Sequence, residues 1–451
     1  MNTTTETTMD LNNELLTTQK NSNKLLYKAI TTGLLILAML VPTFFVENII
    51  QERANRQQEV VKEVSAKWAN AQTITNPYLY IPYISSEKNK NGKDTLINRS
   101  LLILPENLST NSSIIPEERP RSIYKVLLYK SATQSTGNFL IQLPKEIKLE
   151  SLLLNEARIC IGISDFKGIE EKIVVQFNNT NYELTPGLPN KQLDDIGLSA
   201  PIQLSSDALS KPLHFGVQIK LKGSEKLYFT PLAGNSSFKM NGKWSSPSFD
   251  GITLPNERSI SKNKFDANWT FNKASLPFTT TLTEFDEVNK SSFAFGVNMI
   301  QPADQYAKTE RSIKYAILII GLTFSLFFII ELMQKKPLHP IQYILVGIAL
   351  CIFYTLLLSI GEFMQFNYAY LLAASATVLL IFFYTKSHFG SWLTASIFGG
   401  ILTVLYGFIL VLIQLEDTAL LVGSIGLFIV LALVMYSSRK INWYQPSLTQ
   451  V

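Results

Sequence analysis

Cysteine is nearly absent from this 451-residue chain, which holds only Cys160 and Cys351. Cys160 falls in a stretch of soluble composition and Cys351 inside a long apolar run, so the two belong to different solvents and cannot pair within one chain. A disulfide framework is therefore excluded, and the count also excludes a thiolate cage around a metal. The three histidines, His214, His339 and His388, are far apart, and none has a neighbour at ligand spacing. No block of five or six like charges occurs, so the net charge of +5 does not mark a nucleic-acid-binding tail. The nucleophile elbow, the phosphate loop, the paired zinc histidines on a helix and the calcium loop are all missing. These absences leave no catalytic, cofactor-binding or metal-ligating residue to name, and they point away from an enzyme.

What the chain does have is long apolar runs, and these gather at its two ends. A helix crosses a hydrocarbon core of about 30 Å with about 20 mostly apolar residues. Residues 29–46 form one such run and are read as an uncleaved anchor, because no small-x-small cleavage site follows and the next residues continue as a helical pattern. Five more runs lie at about 312–333, 341–360, 368–384, 392–415 and 418–436. Charge at their ends orients them. With the N-terminus inside, the cytoplasmic segments hold Lys20, Lys24, Lys28, Lys335, Lys336, Lys386, Arg439 and Lys440, whereas the short outer loops hold Glu362, Glu416 and Asp417 and no Lys or Arg. Both termini are then cytoplasmic and the middle of the chain is extracytoplasmic. Tyr368, Tyr384, Trp392, Tyr436 and Trp443 stand at span ends, where an amphipathic ring favours the interface.

The spans have no Asp, Lys or Arg at their centres. An intramembrane charge is costly unless it is used, so an ion-coupled carrier is disfavoured. Glu331 falls at an inner end, one helical turn from Lys335, and Glu362 at an outer end, where it reads as solvated. Gly347, Gly399, Gly400, Gly407, Gly423 and Gly426, with Ala373, Ala374 and Ala376, permit close helix contact, so the five C-terminal spans are expected to form a packed cluster.

Between the two groups of spans, residues 47–75 contain no Gly or Pro and carry Val60, Val61, Val64, Trp68 and Ala71 at helical spacing. This predicts a helical stalk, ended by Asn76-Pro77, with a stripe that docks on a domain core or pairs with a second copy as a coiled coil. From Tyr78 the period changes to two. Residues 122–129, 157–164, 172–177, 215–221, 226–230 and 293–298 are β-rich runs bounded by turn residues, so 76–311 is expected to be a mainly antiparallel β domain. Asp250-Gly251 reads as a β-turn and Asp165 as a strand end followed by a turn. The Thr- and Asn-rich N-terminus, within a cytoplasmic segment 1–28, is expected to be disordered up to about Thr18, and 437–451 forms a cytoplasmic tail.

Several motifs in order resemble one family. They are Glu52-Arg53, Arg56, Glu63-Val64, Trp68, Gln72, Pro77 and Pro82-Tyr83, then Glu118-Arg-Pro-Arg-Ser-Ile-Tyr124, Gly162-Ile-Ser-Asp-Phe-Lys-Gly168, Pro247-Ser-Phe-Asp-Gly251, Leu254-Pro255 and Phe265-Asp-Ala-Asn-Trp269. They continue through Gln305-Tyr306, Arg311-Ser-Ile-Lys-Tyr315, His339-Pro-Ile-Gln-Tyr343, 353–359, Glu362, Ala369-Tyr370, 419–423 and Asn442-Trp443. From about Leu34 to Trp443 the chain resembles the bacterial CreD family. Asn76 and Asn442 depart from the family's Gly or Asp at those positions. The resemblance implies a Gram-negative inner-membrane protein linked to envelope integrity, stress response and tolerance of agents that attack the cell surface. It carries over no catalytic or ligand residue.

The sequence thus predicts a multi-pass α-helical membrane protein of six spans, one plus five, with a large extracytoplasmic β domain. The function expected is non-enzymatic and envelope-related, with the bilayer and an unidentified periplasmic partner as its contacts, no nucleic acid, and self-association left open. Two alternatives stand beside it. One is a transporter of a lipid or small molecule through the five-helix cluster, which needs a polar cavity lined by Glu362, Gln365, Tyr354 or Gln414. The other is a cell-wall-active enzyme, which needs Asp165, Asp250 and Asp266 to converge in a cleft.

Overall fold

The computed structural model describes residues 3–88, 94–283, 286, 288, 290–299, 305–334, 336–415 and 418–438. The chain divides into a helical unit, residues 1–57 with 303–451, and a β unit, Gln58–Pro302. Lys335, Glu416, Asp417 and the residues from Arg439 onward, Trp443 among them, lie outside the described residues.

The helical unit begins with α1 (Thr3–Trp68), which belongs to it as far as Gln57. The Thr- and Asn-rich N-terminus is helical rather than disordered; no Gly or Pro interrupts the chain before Gly33. Helices α2 (Gln305–Lys314), α3 (Ala316–Gln334), α4 (Pro340–Gly361), α5 (Phe366–Phe389), α6 (Trp392–Gln414) and α7 (Ala419–Ser438) follow. By length and composition α1 and α3 to α6 can each cross a membrane, and α7 is a shorter apolar helix over Ala419–Ala432. The run that begins at Ser312 is divided: α2 is a separate amphipathic helix and the apolar helix starts at Ala316. Leu371, Leu372, Leu379, Leu380 and Phe383 of α5 are exposed, the outward apolar face expected where lipid replaces water. Tyr368, Trp392 and Tyr436 are exposed at helix ends.

Close packing inside this unit follows from small residues and rings. A Cβ on Gly347 of α4 would lie 2.6 Å from Met39 of α1, so glycine is what lets the two helices approach. Between α4, α5 and α6, the rings of Phe353, Tyr354, Tyr370 and Tyr406 stack edge to face, and the Tyr370 hydroxyl donates to the Tyr406 carbonyl at 2.9 Å.

In the β unit the last turns of α1 lead into β1 (Gln72–Lys88). The helix stops at Trp68, and Asn76-Pro77 sits inside β1 at a shift in its register with a neighbouring strand; it does not end the helix. In chain order come β2 (Asp94–Ile103), β3 (Asn107–Arg121), β4 (Tyr124–Phe139), β5 (Arg158–Ile163), β6 (Val174–Phe177), β7 (Thr180–Glu183), β8 (Thr185–Pro186) and β9 (Gly197–Pro201). The rest are β10 (Leu213–Ser224), β11 (Lys226–Thr230), β12 (Asn235–Gly242), β13 (Pro247–Gly251), β14 (Glu257–Ile260), β15 (Phe265–Phe271), β16 (Thr281–Thr283) and β17 (Phe295–Met299). They form two sheets. The first runs β13-β17-β11-β1-β5-β9-β8, with β2 on β1 and β16 on β2, and the second runs β14-β15-β12-β3-β4-β10-β6-β7. Pairing is mainly antiparallel as expected, with β1 and β11, and β3 and β12, joined in parallel. Asp250-Gly251 belongs to β13 and is not a free turn, although Gly251 takes a positive φ of 115° that favours glycine.

Alternating residues from both sheets meet in one core, including Ile81, Ile159, Ile161, Tyr129, Ile219, Phe229, Phe238, Phe295 and Trp269. A second apolar cluster, Tyr78, Leu102, Leu104, Cys160, Leu193, Leu232 and Leu282, covers the other face of the first sheet. Its roof is the segment before β9, where Asn190 bonds Ser100 and Gln192 bonds the carbonyls of Thr283 and Asp286. The first sheet is thus covered on both faces. Among the described residues of the β unit, the outward side chains of the second sheet, such as those of β3, are exposed.

Candidate functional site

The open face is built by the period-two alternation of five neighbouring strands. On β3, Leu108, Thr110, Ser112 and Ile114 point inward and are buried, which turns Asn107, Ser109, Asn111 and Ser113 outward. Strand register then aligns these with their neighbours in rows across the sheet. One row is Asn235, Asn107, Asn138 and His214. The next is Thr270, Ser237, Ser109, Thr136 and Gly216. A third is Asn268, Lys239, Asn111, Gln134 and Gln218. The first row and all of the second but Gly216 line an open groove of about 640 Å³ at one end of the sheet.

Within the groove the amides are already ordered. Asn235 Nδ2 donates to Asn107 Oδ1 at 3.4 Å, and Asn107 Nδ2 donates to Asn138 Oδ1 at 3.1 Å. The two bonds run in one direction, so each polarises the next and leaves acceptor capacity at Asn235 and donor capacity at Asn138. Among the described residues no Asp, Glu, Lys or Arg lines the groove. Its apolar members, Leu108 and Phe215, belong to the core beneath, and the Phe271 ring packs on Phe238 and Phe295. The polar groups offered to a ligand are therefore amides, hydroxyls and the exposed His214 imidazole, beside the half-buried Phe271 ring.

A second constellation in the β unit is a joint between the end of α1 and the turn after β5. Asp165 Oδ2 accepts from the Asn70 backbone N at 3.0 Å and from Asn70 Nδ2 at 2.9 Å, while Oδ1 accepts from the Lys167 backbone N at 3.0 Å. Burial works against the charged form of Asp165, but these hydrogen bonds outweigh it and hold its carboxyl below the usual range. Gln72 Nε2 donates to the carbonyls of Asp165 and Lys222, and Lys167 Nζ donates to the Ala66 carbonyl near the helix end at 2.9 Å. Two cations stand over the Trp68 ring, Arg119 at 4.1 Å and Lys222 at 4.8 Å from its centroid. A Cβ on Gly168 would strike Gln72 Nε2 and the Lys222 carbonyl, so only glycine permits this approach.

A family model described as "Inner membrane protein CreD" matches residues 24–444. The inner membrane protein CreD of Escherichia coli (strain K12) is 30% identical over 92% of this chain and 93% of its own length. The chain belongs to the CreD family. It is accordingly an inner membrane protein.

In this CreD chain the separated motifs that carry the resemblance meet at particular places. Trp68, Gln72, Arg119, Asp165, Lys167 and Gly168 all belong to the joint just described, so three motifs far apart in sequence make one structure. His339-Pro-Ile-Gln-Tyr343 starts α4: His339 caps it reciprocally with Gln342, Pro340 takes the first turn, and the Tyr343 hydroxyl donates to Glu331 at 3.0 Å. Glu331 is buried and is paired with Lys28 of α1, and it also accepts from the Leu338 backbone N at 2.8 Å. The expected partner, Lys335, lies outside the described residues. Glu362 is not simply solvated, since it stands 3.7 Å from Arg53 of α1 and is 14% exposed. Lys28 and Arg53 are roughly 37 Å apart along the helix at about 1.5 Å per residue, so two ion pairs fasten α1 near the two ends of a membrane crossing. Sequence spacing could not reveal either pair, because each joins residues some 300 positions apart.

The carboxylates named for a cell-wall enzyme do not converge. Asp165 follows β5 and is engaged in the joint. Asp250 is on β13, where it accepts from the Tyr228 hydroxyl at 2.9 Å, and β13 lies four strand spacings of about 4.8 Å, or roughly 19 Å, from β5. Asp266 is on the other sheet. Burial and the Asp250 carboxylate push the Tyr228 hydroxyl up to about 12. Of the residues named for a transport cavity, Tyr354 is fully buried among rings and Gln414 bonds Asn367 at 3.3 Å. Among the described residues no group of three His, Cys, Asp or Glu is placed to hold a metal.

Proposed function

We propose that this CreD chain is a non-enzymatic envelope protein whose β unit lies on the periplasmic side and binds an envelope component through the open face of its second sheet. The observation that carries this reading is the contrast between the two sheets. The first is roofed by its own chain, whereas the second leaves three ordered rows of polar side chains uncovered around a groove. Orientation is supported by the loop charges, with Lys28, Lys336 and Lys386 on one side of the spans and Glu362 on the other. The helical unit serves as the anchor, with α1 fastened to it by the Lys28–Glu331 and Arg53–Glu362 pairs.

The test is complementation of a strain lacking its own family member, scored by survival of an agent that attacks the cell surface. Full-length chain with Asn107, Asn138 and Asn235 changed to Ala is expected to accumulate normally in the membrane and to fail to complement. Full complementation by that variant would reject the groove as the working surface.

A further inference from the structure

Resting on the reading that the second sheet's outer face binds something, we infer that its groove takes a neutral glycan. An anionic headgroup, phosphate or nucleic acid needs a cluster of cations, and among the described residues the lining has no Lys or Arg and a single imidazole, His214. A basic peptide needs carboxylates, and none is present. An amphipathic helix needs a continuous apolar floor, but Leu108 and Phe215 face the core, and the half-buried Phe271 stands alone among outward side chains that are amides, hydroxyls and the His214 imidazole. An extended peptide adding as a strand needs a sheet edge, yet β12, β3, β4 and β10 are each paired on both sides.

A glycan strand meets every condition. It is uncharged, and it presents closely spaced hydroxyls that both donate and accept, as amides and hydroxyls do in return. Within each row successive side chains stand at the strand spacing of about 4.8 Å, so an extended oligomer lying across the strands meets a polar side chain from one strand after another. The one-way amide ladder from Asn235 through Asn107 to Asn138 fixes the orientation of the donors before the ligand arrives, which lowers the ordering cost of binding. Gly216 continues the Ser109–Thr136 row without a side chain, and a Cβ there would meet only the Thr136 methyl, at 3.8 Å, so the row has a step without a side chain before Gln176 of β6.

The experiment uses the full chain in lipid nanodiscs free of glycoside detergent, titrated calorimetrically with two probes. One is a β-1,4-linked tetramer of N-acetylglucosamine and the other is maltotetraose. Saturable binding of at least one probe is expected. Affinity should fall at least tenfold both in the Asn107/Asn138/Asn235→Ala variant and in Ser109→Trp, which fills the groove from an exposed outer position. Thermal unfolding of each variant reports whether the fold is kept. A photo-crosslinking residue at Ser109 in living cells separates this inference from the broader one. If neither probe binds and the crosslinks are to protein, the face binds but the glycan assignment is overturned. If neither probe binds and no adduct forms, both fall. Binding that the two groove variants leave unchanged also overturns the assignment.

Discussion

Removing the Asp165 carboxylate should loosen the joint between the end of α1 and the first sheet by a calculable amount. The carboxylate accepts three hydrogen bonds at 2.9 to 3.0 Å, two from Asn70 and one from Lys167. A hydrogen bond to a charged group contributes about 1.5–3 kcal/mol when well buried. Asp165 is half-buried and its bonds share one carboxylate, so Asp165→Ala should cost about 2–3 kcal/mol in total and Asp165→Asn, which keeps an acceptor, about 1 kcal/mol. Local opening by 2–3 kcal/mol corresponds to a fall of about 30- to 150-fold in amide protection. The reporters are the Ser164 amide, bonded to the Thr73 carbonyl at 3.2 Å, and the Gly168 amide, bonded to the Asp165 carbonyl at 3.2 Å. Hydrogen exchange on the full chain in nanodiscs reads both. The carboxyl of Asp165 is held below its ordinary value of 3.8, so its stabilisation is complete above that pH and is lost as pH falls through the lowered value. Asp165→Asn should remove that acid-side dependence at these amides. Protection changes under threefold in Asp165→Ala, or an unchanged acid dependence in Asp165→Asn, would refute the reasoning.

Two further outcomes follow from buried groups. Lys28→Met strands the buried Glu331 carboxylate and should destabilise the helical unit by about 2–4 kcal/mol, while Lys28→Met with Glu331→Gln should recover more than half of that loss; denaturation of the reconstituted chain measures both. Burial pushes the Cys160 thiol up to about 12, so it should stay unmodified by maleimide at pH 7.5 until the β unit unfolds, as mass spectrometry would show.

The apolar runs were legible because lipid imposes length and composition on a spanning helix, and helices over Pro340–Gly361, Phe366–Phe389 and Trp392–Gln414 stand where their sequences place them. Strands with strong alternation, such as β5, β10 and β11, were equally legible. β3 was not, because its inward positions Thr110 and Ser112 are polar and satisfy each other across the sheet, Thr110 with Ser135 and Ser112 with Thr133, so the hydrophobic period is missing. The candidate site was hidden for the same reason. An Asn- and Ser-rich stretch reads as a loop until register sets Asn107 beside Asn138 and Asn235, which are 31 and 128 positions away. The division at Tyr315 was also missed, since polarity in α2 falls on one face of a helix that continues directly into an apolar one.

The central claim is that the polar face of the β unit is presented beyond the membrane, and the accessibility of one engineered thiol tests it most directly. Ser109→Cys places a thiol on the exposed face, and both native cysteines are buried and give little background. In intact spheroplasts a membrane-impermeant maleimide should label it fully without lysis. Labelling only after the membrane is broken would put the β unit in the cytoplasm and contradict the account.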